Sequence, residues 1–393
     1  MARSGFDVEV LGGWVDGALK ARDQQLIRNE RFRFTAAFDL TERGPAAIFA
    51  HPMRRVTNKV AHIAHSYLGL ENRWQLGPAV TALGRLAAKR EPDLLIAHSE
   101  AALFVAHRML SRGRRVGIDM EDWYSEDLLP SARRHRPIGM LRKMEADLLR
   151  SAAHATCPSE AMSRGLSAAY ECHPPLVVYN AFPLVTKLPA SGGLLDRCDQ
   201  SLPSIHWYSQ TIGPGRGLED LLLALPLLGR TAEIHLRGHP AQGVEAWIHG
   251  QLPEAWRHRV FLHGLVDNDQ LALRITEHDI GFAGEMKYCR SRDLTVTNKI
   301  MQYLVGGLAV VASDTEGQRE VSEQAPGAVT LYPSGDPKAL AACLDHLLAS
   351  PDRLDQAKAA ALVAAEQTFC WPRQEERLLM AVEKALALPA SKV

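Results

Sequence analysis

The chain has 393 residues, and its 45 basic and 45 acidic side chains cancel. That length suits two cores rather than one, and no apolar run approaches the roughly 18–20 residues that cross a bilayer. Six scattered cysteines without CxxC spacing argue against a disulfide framework or a zinc site and fit reduced thiols in a cytoplasm.

The charges cancel only in total. Residues 1–183 carry about +5 and the remainder about −5. The basic excess gathers in Arg112, Arg114 and Arg115 and in Arg133, Arg134, Arg136, Arg142 and Lys143. No nucleic-acid recognition motif accompanies it. A face touching anionic lipid and an ordinary solvated surface are the two readings left open. Met1-Ala-Arg-Ser-Gly5 has no apolar segment behind it, so no signal peptide is expected.

The first half alternates strand and helix. Strands are expected at Phe6–Gly12, Phe32–Phe38, Leu94–Ala97, Val116–Met120, Ala155–Cys157 and Leu176–Tyr179. Helices are expected at Lys59–Leu68, Ala79–Lys89, Ala101–Ser111 and Pro137–Arg150. Alternation of this kind builds βαβ units on a parallel sheet. Residues 184–203 hold Pro, Ser and Gly-Gly without periodicity and read as a linker.

The second half resumes the pattern. Strands are expected at Ser204–Tyr208, Glu233–Leu236, Val260–Leu262, Ile280–Ala283, Leu308–Ala312 and Ala328–Leu331. Helices Pro337–Leu348 and Pro351–Glu366 follow, and Trp371-Pro372 precedes a terminal helix. Leu308–Ala312 is continuously apolar, as a strand buried on both faces should be.

Two loops carry the signs of an anion site. Gly213-Pro-Gly-Arg-Gly217 precedes a helix, so backbone N–H groups can approach a ligand and Arg216 adds a full charge. The loop Glu285–Lys299 brings Lys287, Arg290, Arg292 and Lys299 between a strand and a helix. In an open α/β sheet, ligands bind beyond the carboxyl ends of such strands.

The motifs NKIMQYLVGGLAVVAS, PDLLIAH, GIDMED, VVYNAFP, TIGPGRGLEDLLLAL, IHLRG, VFLHGLV and TFCW follow one another in an order that resembles family 4 glycosyltransferases. The resemblance spans nearly the whole chain. It implies the GT-B fold, two Rossmann-like doubly wound parallel-sheet domains facing a cleft. Residues 1–183 would form an acceptor-side domain and 204–372 a nucleotide-sugar domain. Residues 373–393 would form a helix returning to the first. The usual first strand and its Gly-rich loop are not matched, which places a gap in the middle of the first sheet. A start codon set too far downstream is the favoured explanation.

The resemblance also implies roles. Arg216 matches the basic residue that holds the donor diphosphate, with Gly213, Gly215, Gly238 and Gly264 at strand ends lining the donor site. The family's second basic residue falls on Gln210, so Lys287 or Lys299 is expected to supply that charge. The usual pair of glutamates is replaced by Leu294 and Gln302; Gln302 can still bond a ribose hydroxyl, and amides around Thr297 can bind the donor. His98 matches a position near the transferred sugar, and Glu121 and Asp122 stand at a catalytic edge beside it. No metal and no cofactor are expected, the nucleotide-diphosphate sugar being a co-substrate. The implied reaction is retaining transfer to an acceptor hydroxyl on a glycan, lipid-linked or small molecule, in bacterial polysaccharide or glycoconjugate synthesis. The location expected is cytoplasmic, with possible peripheral contact to an anionic membrane. A non-catalytic sugar-nucleotide-binding relative or partner subunit competes with this reading, motivated by Gln210 and Gln302. An epimerase or phosphorylase on the same fold is the remaining alternative.

Overall fold

The computed structural model describes residues 1–42, 45–77, 80–185 and 196–388, without the side chains of 45–55 and 269. Ala79, residues 186–195 of the expected linker and 389–393 of the terminal segment lie outside that description. The chain divides into two compact units. The first holds Met1–Cys157, Ser163–Leu176 and Leu378–Val393; the second holds Pro158–Met162 and Val177–Arg377.

The first unit contains β1 (Glu9–Trp14), β2 (Arg33–Asp39), β3 (Leu95–His98), β4 (Val116–Asp119) and β5 (His154–Cys157), with β6 (Leu176–Val177) at its boundary. β1 and β2 form a two-stranded parallel sheet by themselves, and the others form a second sheet in the order β3-β4-β5-β6. Three of the four β4 residues are buried, whereas Trp14 is the one buried residue of β1 and Ala97 the one of β3. Glu9 of β1 is held by the Arg90 guanidinium at 2.8 Å and by Thr35 at 2.6 Å, which lower its carboxyl to about 2.

Two differences from the sequence reading have simple causes. Asp16 caps an unexpected helix, Gly17–Arg28, by accepting from the amides of Ala18 and Leu19. The helix ending at Leu68 begins at Pro45, since proline is tolerated in a first turn.

The basic segment is largely neutralised. Arg133 and Arg142 share Glu126 at 3.1 and 2.6 Å, Arg136 pairs with Glu100, and Lys143 pairs with Asp147 at 3.0 Å. No helix among the described residues is long and apolar enough to cross a membrane.

The second unit is a six-stranded parallel sheet in the order β12-β11-β10-β7-β8-β9. Its strands are β7 (Ser204–Ile212), β8 (Glu233–Pro240), β9 (Val260–His263), β10 (Ile280–Ala283), β11 (Ala309–Ser313) and β12 (Val329–Tyr332). This is a doubly wound order whose direction reverses between β7 and β10, the switch point where such sheets open a crevice. The apolar runs read from sequence are the central strands, and every residue of β10 and β11 is buried. Gly281 lets helix Asn298–Val305 lie close on the sheet, since a Cβ there would sit 2.2 Å from the Tyr303 ring.

One face of β7–β9 is unusually polar. The His206 and His278 rings stack at 4.6 Å, and His235 lies 4.6 Å from His278. Burial pushes all three below the ordinary histidine range, with like-charge neighbours adding to the effect. Beside them Arg237 pairs with Asp196. Arg197 bonds Glu233 at 3.0 Å and Asp279 at 3.1 Å, and its side chain is 5% exposed. These contacts pin the chain where it enters β7.

Arg197→Ala should therefore destabilise the second unit by about 3 kcal/mol, because it leaves the buried Glu233 without its guanidinium, whereas Asp279 keeps Lys358 at 2.9 Å. Urea unfolding followed by circular dichroism checks this, and an unchanged midpoint would contradict it.

Candidate active site

Two groups of candidate residues are described, one in each unit. In the second unit the site is built on the switch point. β7 continues past its expected end. After an irregularity between Tyr208 and Thr211, Thr211 and Ile212 still pair with His239 and Pro240. Gln210 therefore lies within the strand's irregular stretch, where the sequence reading had a free loop. The turn Gly213–Gly217 then doubles back into helix Leu218–Ala224. Gly217 has φ +76°, and a Cβ on it would lie 2.5 Å from the Gly284 carbonyl oxygen. Gly284, just past β10, has Gly217 O at 3.1 Å from its own Cβ position. Two bare backbones thus meet across the switch point, and no side chain fits between them.

The cations around this turn are not equivalent. Arg216 is exposed, and no hydrogen bond or ion pair holds it among the described residues. Lys287 is 3.4 Å from Asp293. Lys299 donates to Glu285 at 2.6 Å, is 14% exposed, and lies 5.9 Å from the Trp207 ring centre. Both lysines proposed to replace the charge missing at Gln210 therefore carry carboxylate partners. Glu285 and Asp293 were not singled out from sequence.

The remaining donor-side residues fall on neighbouring strand ends. Gly238 admits the Ser209 carbonyl, which would lie 2.4 Å from a Cβ. Gly264 has open space around its Cβ position and accepts from Arg237 at 2.8 Å. Thr297 stands immediately before helix Asn298–Val305, its hydroxyl 3.4 Å from Gln318 Oε1. Gln302 is buried, and its Oε1 has no hydrogen-bond partner. An orphaned buried acceptor is costly unless something donates to it. Glu320, by contrast, is occupied: it accepts from the amides of Glu160 and Ala161 at 3.0 and 2.7 Å.

In the first unit, His98 ends β3 opposite Asp119 at the end of β4. His98 Nδ1 is 3.1 Å from Asp119 and 3.6 Å from Glu121. Asp119 also accepts from Thr156 Oγ1 at 2.9 Å. The bond to Asp119, then that to Glu121, raises His98 to about 9. It is a cation at neutral pH, able to donate but not to accept a proton. Ser99 follows with φ +73° and ψ 159°, a conformation rare for a residue with a side chain and most often retained at functional sites. Glu121 and His98, both singled out from sequence, are brought together here. Asp119 was missed, although its two-residue offset from Glu121 and the parallel register could have found it. The ligand atoms of His98, Asp119 and Glu121 lie within 4.8 Å of one another, a spacing that a divalent ion could also bridge.

Residues 205–350 match the glycosyl transferases group 1 family. No curated protein matches the chain. Among solved structures, Anabaena HepE in complex with UDP covers 95% of this chain and 91% of its own, with TM-score 0.66 and 19% identity. Sucrose-phosphate synthase from Thermosynechococcus elongatus covers 97% and 100%, with TM-score 0.69 and 13% identity. A UDP-forming trehalose-phosphate synthase from Burkholderia xenovorans covers 98% and 100%, with TM-score 0.64 and 12% identity. The fold is GT-B. The family match lies on the six-stranded unit, the one that carries the Gly213–Gly217 turn. The family match on that unit is the finding that points to a transferase, and the solved structures show the fold.

His98 supplies a direct check on the GT-B chain. A raised folded pKa means its ion pairs contribute stability that is fully present below the unfolded value and lost as pH rises through about 9. In the wild type the ring should titrate near that value by NMR. In Asp119→Asn the midpoint should fall toward the ordinary 6.5 or so. An unmoved midpoint would remove Asp119 as its main partner.

Proposed function

We propose that the chain is a retaining GT-B glycosyltransferase of the family 4 type, moving a sugar from a nucleotide-diphosphate sugar to an acceptor hydroxyl. The observation that carries this is the unpaired Arg216 on a glycine turn at the switch point of the matched domain. The structures of Anabaena HepE hold UDP, UDP and glucose, or UDP-glucose, which supports a uridine donor here.

The chemistry follows from charge. As the sugar–phosphate bond breaks, negative charge grows on the leaving diphosphate. Arg216 and the N–H groups of the Gly213–Gly217 turn stabilise that charge with dipoles already in place. Gln302 Oε1 takes a donor hydroxyl and so loses its orphan status. Held cationic by Asp119 and Glu121, His98 donates to an oxygen of the transferred sugar and does not act as the base. The acceptor hydroxyl passes its proton to the departing phosphate oxygen and attacks on the same face, so the anomeric configuration is kept without a protein nucleophile.

A role in bacterial polysaccharide or glycoconjugate synthesis is the biological setting proposed. Peripheral attachment to an anionic membrane draws on Arg134 and on the exposed Val60, Ile63 and Tyr67 of helix Pro45–Leu68. The neutralised partners of Arg133, Arg136, Arg142 and Lys143 weaken that attachment. The paired Lys299 and the absent glutamate at Gln302 favour a second reading, a binding-only relative, and turnover separates the two.

A screen of uridine, guanosine and thymidine diphosphate sugars with mixed acceptors should show nucleoside diphosphate release, with the product keeping the donor's anomeric configuration by NMR. Arg216→Ala should weaken nucleoside-diphosphate binding by about 1.5–3 kcal/mol, the range for a charge-assisted hydrogen bond. Binding without turnover for every donor and acceptor would shift the assignment to the binding-only relative. Unchanged affinity in folded Arg216→Ala would take Arg216 out of the site.

A further inference from the structure

The first unit contains a cavity of about 350 Å³ that the proposed reaction does not use. It opens between helix Val80–Ala87 and helix Glu100–Leu110. Its arginines come from three places in the chain. Arg85 lies on the first helix, Arg108 on the second, Arg112 one turn beyond Arg108, and Arg73 on the short helical turn Arg73–Leu76.

Sequence spacing explains why they converge. Thr81, Gly84, Arg85 and Ala88 recur at three- and four-residue steps, as do Val105, Arg108, Met109 and Arg112, so each set shares one helix face. The two helices pack directly here, the Cβ position of Gly84 lying 3.7 Å from Val105 Cγ2, an ordinary contact distance. Val105, Met109 and Phe104 give the cavity an apolar wall, which lowers the local dielectric beneath the cations.

None of the four guanidinium groups has an ion pair among the described residues. That sets them apart from Arg133, Arg136 and Arg142, each of which has a glutamate. Arginine does not discharge at any physiological pH, so the four side chains put positive charge around one cavity, with Arg85, Arg108 and Arg112 exposed to solvent where an arriving anion can meet them. Two further atoms point to a missing ligand. Thr81 Oγ1 and Arg73 Nε are buried and have no hydrogen-bond partner. The Arg73 guanidinium is also stacked 4.8 Å from the Trp74 ring centre, which fixes its plane.

We propose that this cavity is a binding site for a phosphorylated group bearing two or more negative charges, separate from the Arg216 turn. The guanidinium fork matches phosphate oxygens two at a time, and Thr81 supplies one more hydroxyl donor. The phosphate can belong to a soluble compound or to a lipid headgroup.

Inorganic pyrophosphate, titrated by calorimetry into the Arg216→Ala protein at low ionic strength, isolates this cavity from the donor turn. The expected result is saturable binding that weakens at least about tenfold, some 1.4 kcal/mol, when Arg108→Gln and Arg112→Gln are added. A second arm uses vesicles of phosphatidic acid, whose phosphomonoester can carry two charges, against vesicles of phosphatidylcholine. Retention on the anionic vesicles alone, lost with the same double substitution while pyrophosphate does not bind, assigns the phosphate to a lipid headgroup. If the double variant does not fold, Arg85→Gln makes the same comparison from the other helix. The proposal is overturned if neither probe binds, or if binding is unchanged in a variant with wild-type circular dichroism and melting temperature.

Discussion

The contact on which the donor side depends is the meeting of two glycine backbones at the reversal of the second sheet. A Cβ on Gly217 would lie 2.5 Å from Gly284 O, well inside any permitted carbon–oxygen contact. The turn after β7 can therefore reach the end of β10 only while both positions lack side chains. Positive φ at Gly215 and Gly217 reinforces the demand. With the turn held there, its amides and Arg216 lie over the crevice that doubly wound sheets leave at a switch point.

Charge pairing then decides which cations near this turn could meet the diphosphate of the proposed donor. Lys299 and Glu285 form a nearly buried pair, and recruiting Lys299 would leave Glu285 exposed to the same anion. Lys287 has a weaker pair with Asp293 at 3.4 Å. Arg216 has neither constraint among the described residues, so it is the cation of the three that an anion could engage without breaking an ion pair. In the first unit the logic is reversed. Asp119 and Glu121 favour the charged form of His98, and a cation there is suited to donating a hydrogen bond. The four arginines of the separate cavity follow the same reasoning: unpaired charge marks where an anion is wanted.

Much of this was legible in the sequence because it rests on backbone demands. The apolar run at Leu308–Ala312 announces a strand buried on both faces, and the alternation of strands and helices announces a parallel sheet. The first unit divides into sheets of two and four strands, a division that the alternation of strands and helices does not announce. Relations between strands were hidden. Asp119 reaches His98 through parallel register, and Glu285 reaches Lys299 across a turn and a helix start. His206, His235 and His278 look like isolated histidines in sequence and become one stack only when β7, β8 and the segment before β10 are laid side by side. Arg73, Arg85, Arg108 and Arg112 are likewise spread over forty residues or so, at helical spacings whose facing partner the sequence does not name.

The most direct test of the account is UDP binding measured by calorimetry for the wild type and for Gly217→Val. The account predicts a saturable isotherm for the wild type and an affinity loss of more than about tenfold for the variant, with thermal unfolding still cooperative in both. A valine at Gly217 that left UDP affinity unchanged would contradict it, because the backbone contact with Gly284 could not then be what shapes the diphosphate turn.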